Sequence, residues 1–93
     1  MFVGVLTLDM HIPGSDSLKM KRLVLKSLVT RLRNKFNVSV AEVDQNEKWQ
    51  RAVVAIALVS NEQGFIDQVF TQILNLCDKD HDYEIIAQQR EIL

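Results

Sequence analysis

The chain has one cysteine, one proline and three glycines among its 93 residues. A lone Cys77 can form neither a disulfide nor a paired set of zinc ligands within the chain, and such sparing use of cysteine fits a reducing compartment. With so little proline and glycine, no linker stands out, and Pro13-Gly14 is the one strong break. Neither sign of charge is in excess. Eleven basic and 12 acidic residues give a formal net charge of -1, so nothing attracts the whole molecule to nucleic acid or to anionic lipid. An electrostatic partner must then be met by a local patch. No apolar run reaches the length of a membrane helix: the stretch from Met1 to Leu6 meets Asp9 and His11 first, lacks a basic leader, and reads as a strand, not a signal. Repeats and low-complexity tracts are absent too.

What is present is ordinary for a folded protein. A hydrophobic share of 47% with 25% charged residues lies far from the composition of disordered chains. The length suits one core and not two, so a single domain over residues 1–93 is expected.

Six elements follow from the pattern of apolar residues. Phe2 to Ile12 is β-rich, with Phe2, Gly4, Leu6, Leu8, Met10 and Ile12 on the face expected to meet helices. Ser17 is a helix cap, and Leu18, Leu25, Leu28, Val29, Leu32 and Phe36 form a helical stripe over Leu18 to Phe36, closed by Asn37 in a left-handed cap. Asn37 to Asp44 is a second strand, Gln45-Asn46-Glu47-Lys48 a polar turn, and Arg51 to Ser60 a third strand whose unbroken apolar run fits a central position. Ser60 and Gln63 make a capping-box pair for a second helix from Asn61 to Asp78, with Ile66, Val69, Phe70, Ile73 and Cys77 on its buried stripe. A last strand runs from Tyr83 to about residue 92.

Strand, helix, strand, strand, helix, strand at this length predicts an α+β, ferredoxin-like βαββαβ fold. Its four-stranded antiparallel sheet carries both helices on one face, and the expected strand order is four, one, three, two. That topology gathers His11, Lys19, Lys21, Arg22, the turn from Asp44 to Trp49, and His81 along one rim. It also leaves one sheet face open. Whichever register of strand three points outward, Val53-Ala55-Ala57-Val59 or Val54-Ile56-Leu58, the face is apolar, and exposed apolar area of this kind marks a binding surface, expected here to make a homodimer.

The clearest chemistry is basic. Seven of the 11 cations (Lys19, Lys21, Arg22, Lys26, Arg31, Arg33 and Lys35) lie on the first helix, and no acidic residue falls between Leu18 and Ala41. At about 100° per residue, Lys19, Arg22, Lys26 and Arg33 project within one narrow sector. Cations in the first turn oppose the helix dipole, and a bound phosphate would resolve that conflict. Lys19, Lys21, Arg22, Lys26 and Arg33 are therefore the candidate RNA or phosphate contacts, and His11, Trp49 and Arg51 candidate rim contacts. A charged face that only keeps the protein soluble is the other reading of the helix, and a partly buried anchor the other reading of Trp49.

Catalytic chemistry finds little support. His11 and His81 have no nucleophile at a motif spacing, and a metal site would need both to converge with Asp9 or Glu42. The loop Pro13 to Ser17 lacks the arginine that acylphosphatases of this fold carry there, and strand three lacks the aromatics on which RNA-recognition motifs stack bases. Neither an enzyme nor a cofactor is expected.

The segments Gly4-Val5-Leu6-Thr7, His11-Ile12-Pro13-Gly14, Ser17-Leu18-Lys19 with Lys21-Arg22, Arg31 through Val43, and Trp49-Gln50-Arg51-Ala52-Val53 together resemble the YlxP-like family of small bacterial proteins. The resemblance spans nearly the whole chain. It implies a ferredoxin-like fold and a bacterial cytoplasmic protein without an assigned activity. Members are often encoded near translation initiation factor two and ribosome-binding factor A, which suggests work around ribosome assembly or translation. Relatives commonly carry an acidic residue where this chain has Met20, so the head of its first helix is more positive. The expected function is accessory contact with structured, ribosomal RNA through the basic helix. The alternative is a homodimeric protein–protein interaction module with no nucleic-acid role.

Overall fold

A computed structural model describes residues 1–44 and 48–93. Residues 45–47 of the expected polar turn fall outside the described residues. The elements are β1 (Phe2–His11), α1 (Leu18–Lys35), β2 (Ser39–Asp44), β3 (Arg51–Ser60), α2 (Gln63–Asp78) and β4 (Glu84–Ile92). The sheet has the order β2-β3-β1-β4 with every pairing antiparallel, the ferredoxin-like arrangement that the order of elements predicts.

Alternation decides which face is buried. Leu6, Leu8 and Met10 of β1 and Ala52, Val54 and Ile56 of β3 are fully enclosed beneath Leu28 and Leu32 of α1 and Ile66, Phe70 and Ile73 of α2. The odd-numbered residues of both strands turn outward, so Val53, Ala55 and Ala57 line the open face half-buried and Val59 stands exposed. Each edge strand is irregular at the same end of the sheet. In β2 the register shifts between Glu42 and Asp44, and in β4 it shifts opposite Asp9 and Met10. Bulges of this kind twist an edge away from flat pairing with another chain.

Two helix boundaries differ from the pattern-based expectation. α1 ends at Lys35, where Phe36 becomes extended (φ -128°, ψ 147°) while its N–H closes the last turn on the Leu32 carbonyl. Among the described residues no non-glycine residue has a positive φ, so Asn37 supplies no left-handed cap and the chain passes directly into β2. At α2 the Ser60 hydroxyl accepts the Glu62 N–H at 3.0 Å, folding the chain at the strand end instead of capping a helix. The helix therefore starts later, at Gln63. At the head of α1 the expected cap is present: the Met20 N–H donates to Ser17 Oγ at 3.1 Å.

Gly4 sets how closely α2 lies on β1. A Cβ at this position would come within 2.3 Å of Ile66 Cγ2 and 3.1 Å of the Phe70 ring. Gly4→Ala is expected to destabilise the fold by about 1–3 kcal/mol, because fully buried Ile66 and Phe70 have little room to yield. The midpoint of urea unfolding measures it.

A polar cluster ties α1 to the α2–β4 connection. The Arg31 guanidinium pairs with the Asp80 carboxylate, and Asp80 also accepts the Asp82 N–H at 3.1 Å. Beside them lie buried Cys77 and Tyr83. Burial pushes the Cys77 thiol up, and burial next to Cys77 raises the Tyr83 phenol strongly. The Tyr83 hydroxyl has no hydrogen-bond partner among the described residues. For Asp80, burial works upward, but the Asp82 N–H and Arg31 outweigh it and hold the carboxyl below the usual range. A depressed folded-state pKa contributes stability above the unfolded value, about pH 4, and that contribution is lost as pH falls through the folded-state value. Wild-type protein should therefore lose stability in that acid window, whereas Asp80→Asn should be weaker by about 1–2 kcal/mol at neutral pH and show a flatter acid limb. Denaturant midpoints between pH 7 and pH 3 provide the comparison.

Candidate polyanion-binding face and rim

The cations of α1 divide by helical phase. Lys21, Leu25, Leu28 and Leu32 follow one another at steps of four, three and four, and all four are buried. Lys21 is only 3% exposed, which corrects its placement among the solvent-facing phosphate contacts. Its ammonium donates to the carbonyls of Lys48 and Arg51, each at 3.2 Å, and lies 3.6 Å from Glu42 Oε1. A signal for this was present: the apolar stripe has a gap between Leu18 and Leu25, and Lys21 occupies it.

Lys19, Arg22 and Lys26 are exposed and, among the described residues, hold no ion pair or side-chain hydrogen bond. Arg33 shares their sector and its guanidinium donates to the Val40 carbonyl at 2.9 Å. That bond fixes the direction of the whole line, which runs along the side of α1 above edge strand β2. Arg31, on the other flank, is committed to Asp80, and the Lys35 ammonium sits 5.9 Å from the Phe36 ring centroid.

The rim assembles as the topology requires, with a division that the sequence does not reveal. The Ile12 N–H donates to the Gln50 carbonyl at 2.9 Å and the Gln50 side-chain amide to the Ser15 carbonyl at 3.4 Å. With Lys21, these bonds stitch the loop before α1 to the turn before β3. On the outer side His11, Trp49 and Arg51 border an open hollow of about 540 Å³, with Trp49 53% exposed. Arg51 bonds Asp9 at 2.6 Å and His11 Nδ1 lies 2.9 Å from Glu84 Oε1. Both pairs escaped the sequence reading, since they depend on cross-strand register. Asp9 Oδ1 is enclosed and has no hydrogen-bond partner among the described residues.

His81 lies elsewhere, in a shallow groove with Ile12, Met20 and Val24. The two histidines thus share an end of the sheet but do not converge. Among the described residues no group of three or more His, Cys, Asp or Glu could hold a metal ion, and no helix is long and apolar enough to cross a membrane.

Antiparallel β2-β3-β1-β4 strands, two helices on one face and a cationic line beside an edge strand define a ferredoxin-like α+β protein with an open sheet face. More narrowly, the chain belongs to the DUF503 family of proteins of unknown function, whose sequence profile matches residues 3–90. It is similar to the uncharacterized protein YlxP of Bacillus subtilis (strain 168), with 37% identity over 76 residues that cover 82% of this chain and 83% of that protein. The family resemblance drawn from the motifs is borne out.

Because Lys21 satisfies two carbonyls and faces Glu42 inside the protein, Lys21→Met should destabilise by about 1–3 kcal/mol through the orphaned acceptors. Lys19→Met, on the exposed face, should change stability by less than about 0.5 kcal/mol. Guanidinium chloride titrations of the two variants separate a structural lysine from a surface one.

Proposed function

We propose that this protein is a non-enzymatic accessory factor of the bacterial cytoplasm that contacts structured RNA, ribosomal RNA in ribosome assembly or translation, through Lys19, Arg22 and Lys26. Arg33 extends the contact at the β2 edge. One observation carries this reading: three exposed cations in one sector of one helix lack internal partners among the described residues, while Lys21, Arg31, Arg51 and Arg90 are each paired with a carboxylate. A line of ammonium and guanidinium groups without base-reading partners suits phosphate contact and recognition by shape. The family placement suggested by the resemblance points the same way, by association.

The open sheet face supports homodimerisation. Four strands about 4.8 Å apart and up to ten residues long at about 3.3 Å rise make a face of roughly 500–600 Å². Two such faces bury about 1,100 Å² in total, close to the lower bound for a stable interface. A second reading rests on that face alone: a homodimeric protein-interaction module that binds no nucleic acid.

With three phosphate contacts, binding to a labelled RNA hairpin should weaken with a log–log salt slope of about -2 to -3. The Lys19→Glu, Arg22→Glu, Lys26→Glu variant should keep its circular dichroism spectrum and lose binding. Undiminished affinity in that variant removes the RNA reading. Dimers by sedimentation, with protein partners but no RNA crosslinked in cells, would establish the second.

A further inference from the structure

The rim hollow contains the only tryptophan of the chain. Its surroundings differ in kind from the helix face. Two of the polar groups that line the hollow beside Trp49 are held by carboxylates, Arg51 by Asp9 and His11 by Glu84, while Lys48 lines the same hollow. What remains accessible is flat: an indole that is half exposed, beside an imidazole and a planar guanidinium whose orientations are fixed. Planar π-faced groups of this kind suit an uncharged planar ring better than an aliphatic side chain.

The hollow is also held in place relative to the cationic line. Lys21 joins the first turn of α1 to the Lys48 and Arg51 carbonyls, and the Ile12 and Gln50 bonds fix the turn that carries Trp49. Lys19 and Arg22 flank Lys21 on that same turn. Lys21 thereby ties the helix turn that carries Lys19 and Arg22 to the segment that carries Trp49.

We infer that the Trp49 hollow takes one unpaired nucleobase of the RNA whose backbone lies along α1. The inference rests on the RNA reading and narrows it: the partner is a stem with a bulged or looped-out nucleotide, accepted with little base preference because every base offers a π-face.

The sole tryptophan supplies the readout. Intact protein is titrated with an RNA hairpin carrying a single-nucleotide bulge, with the same hairpin abasic at the bulge, and with a fully paired one. The bulged RNA should quench Trp49 emission. The abasic and paired RNAs should bind roughly tenfold more weakly, without quenching. By anisotropy of labelled RNA, Trp49→Ala should lose about tenfold in affinity for the bulged hairpin only, and Trp49→Phe should recover most of it. Equal binding of all three RNAs with unchanged emission would overturn the stacking site and leave the phosphate contact standing. No binding of any of them would remove both. Emission that follows protein concentration and ignores RNA would assign Trp49 to contact between copies of the chain, and the nucleobase site would fall.

Discussion

The buried ammonium of Lys21 is the joint on which the arrangement of this end of the molecule depends. It reaches from the first turn of α1 to two backbone carbonyls of the segment entering β3 and to Glu42 on β2, positions far away in sequence. A charged group with only 3% of its surface exposed costs several kcal/mol in lost hydration unless its donors are satisfied, so the contact tolerates little displacement. The helix start, the segment entering β3 and β2 at Glu42 are therefore held together. Anything bound at the rim meets groups whose relative positions are settled beforehand.

That joint also recasts the electrostatics of α1. Three cations in the first turns would oppose the helix dipole, but one of them is turned inward and balanced by Glu42 and two carbonyls. The unfavourable charge that faces solvent is that of Lys19 and Arg22, with Lys26 beyond them. The separation is spatial as well. Cations with internal partners hold elements together, Arg31 joining α1 to the segment before β4 and Arg90 joining β4 to Asp67 of α2, while the line above β2 is left to solvent.

The sheet presents the opposite character. On its outer face valine and alanine of β1 and β3 stand among polar Thr7, Gln89 and Glu91, and Val43 and Ile86 are exposed at the irregular stretches of the two edge strands. Those irregularities discourage edge-to-edge pairing, and Arg33 occupies a carbonyl on the β2 edge. The helices cover the opposite face of the sheet, so the open face and the helix line are separate surfaces of the molecule.

Much of the fold was legible in the residues, because alternation in β1 and β3 and the helical stripes are local patterns that need no partner to be seen. The helix ends were less so: whether Asn37 takes a left-handed cap, or Ser60 caps a helix or folds the strand end, depends on where the next element begins. The cationic sector of Lys19, Arg22, Lys26 and Arg33 followed from helical phase. Lys21 did not, since a lysine within a leucine stripe enters the core only if the chain elsewhere supplies acceptors for it, and those come from 48, 51 and 42. The same holds for Asp9 with Arg51 and His11 with Glu84, pairs created by strand register. Sequence alone thus determined the element order, the buried faces and the line of positive charge, all set by periodicity along one segment. Which cations stay in solvent, and which become part of the interior, was decided only by the tertiary structure, because a charge finds its partner through space.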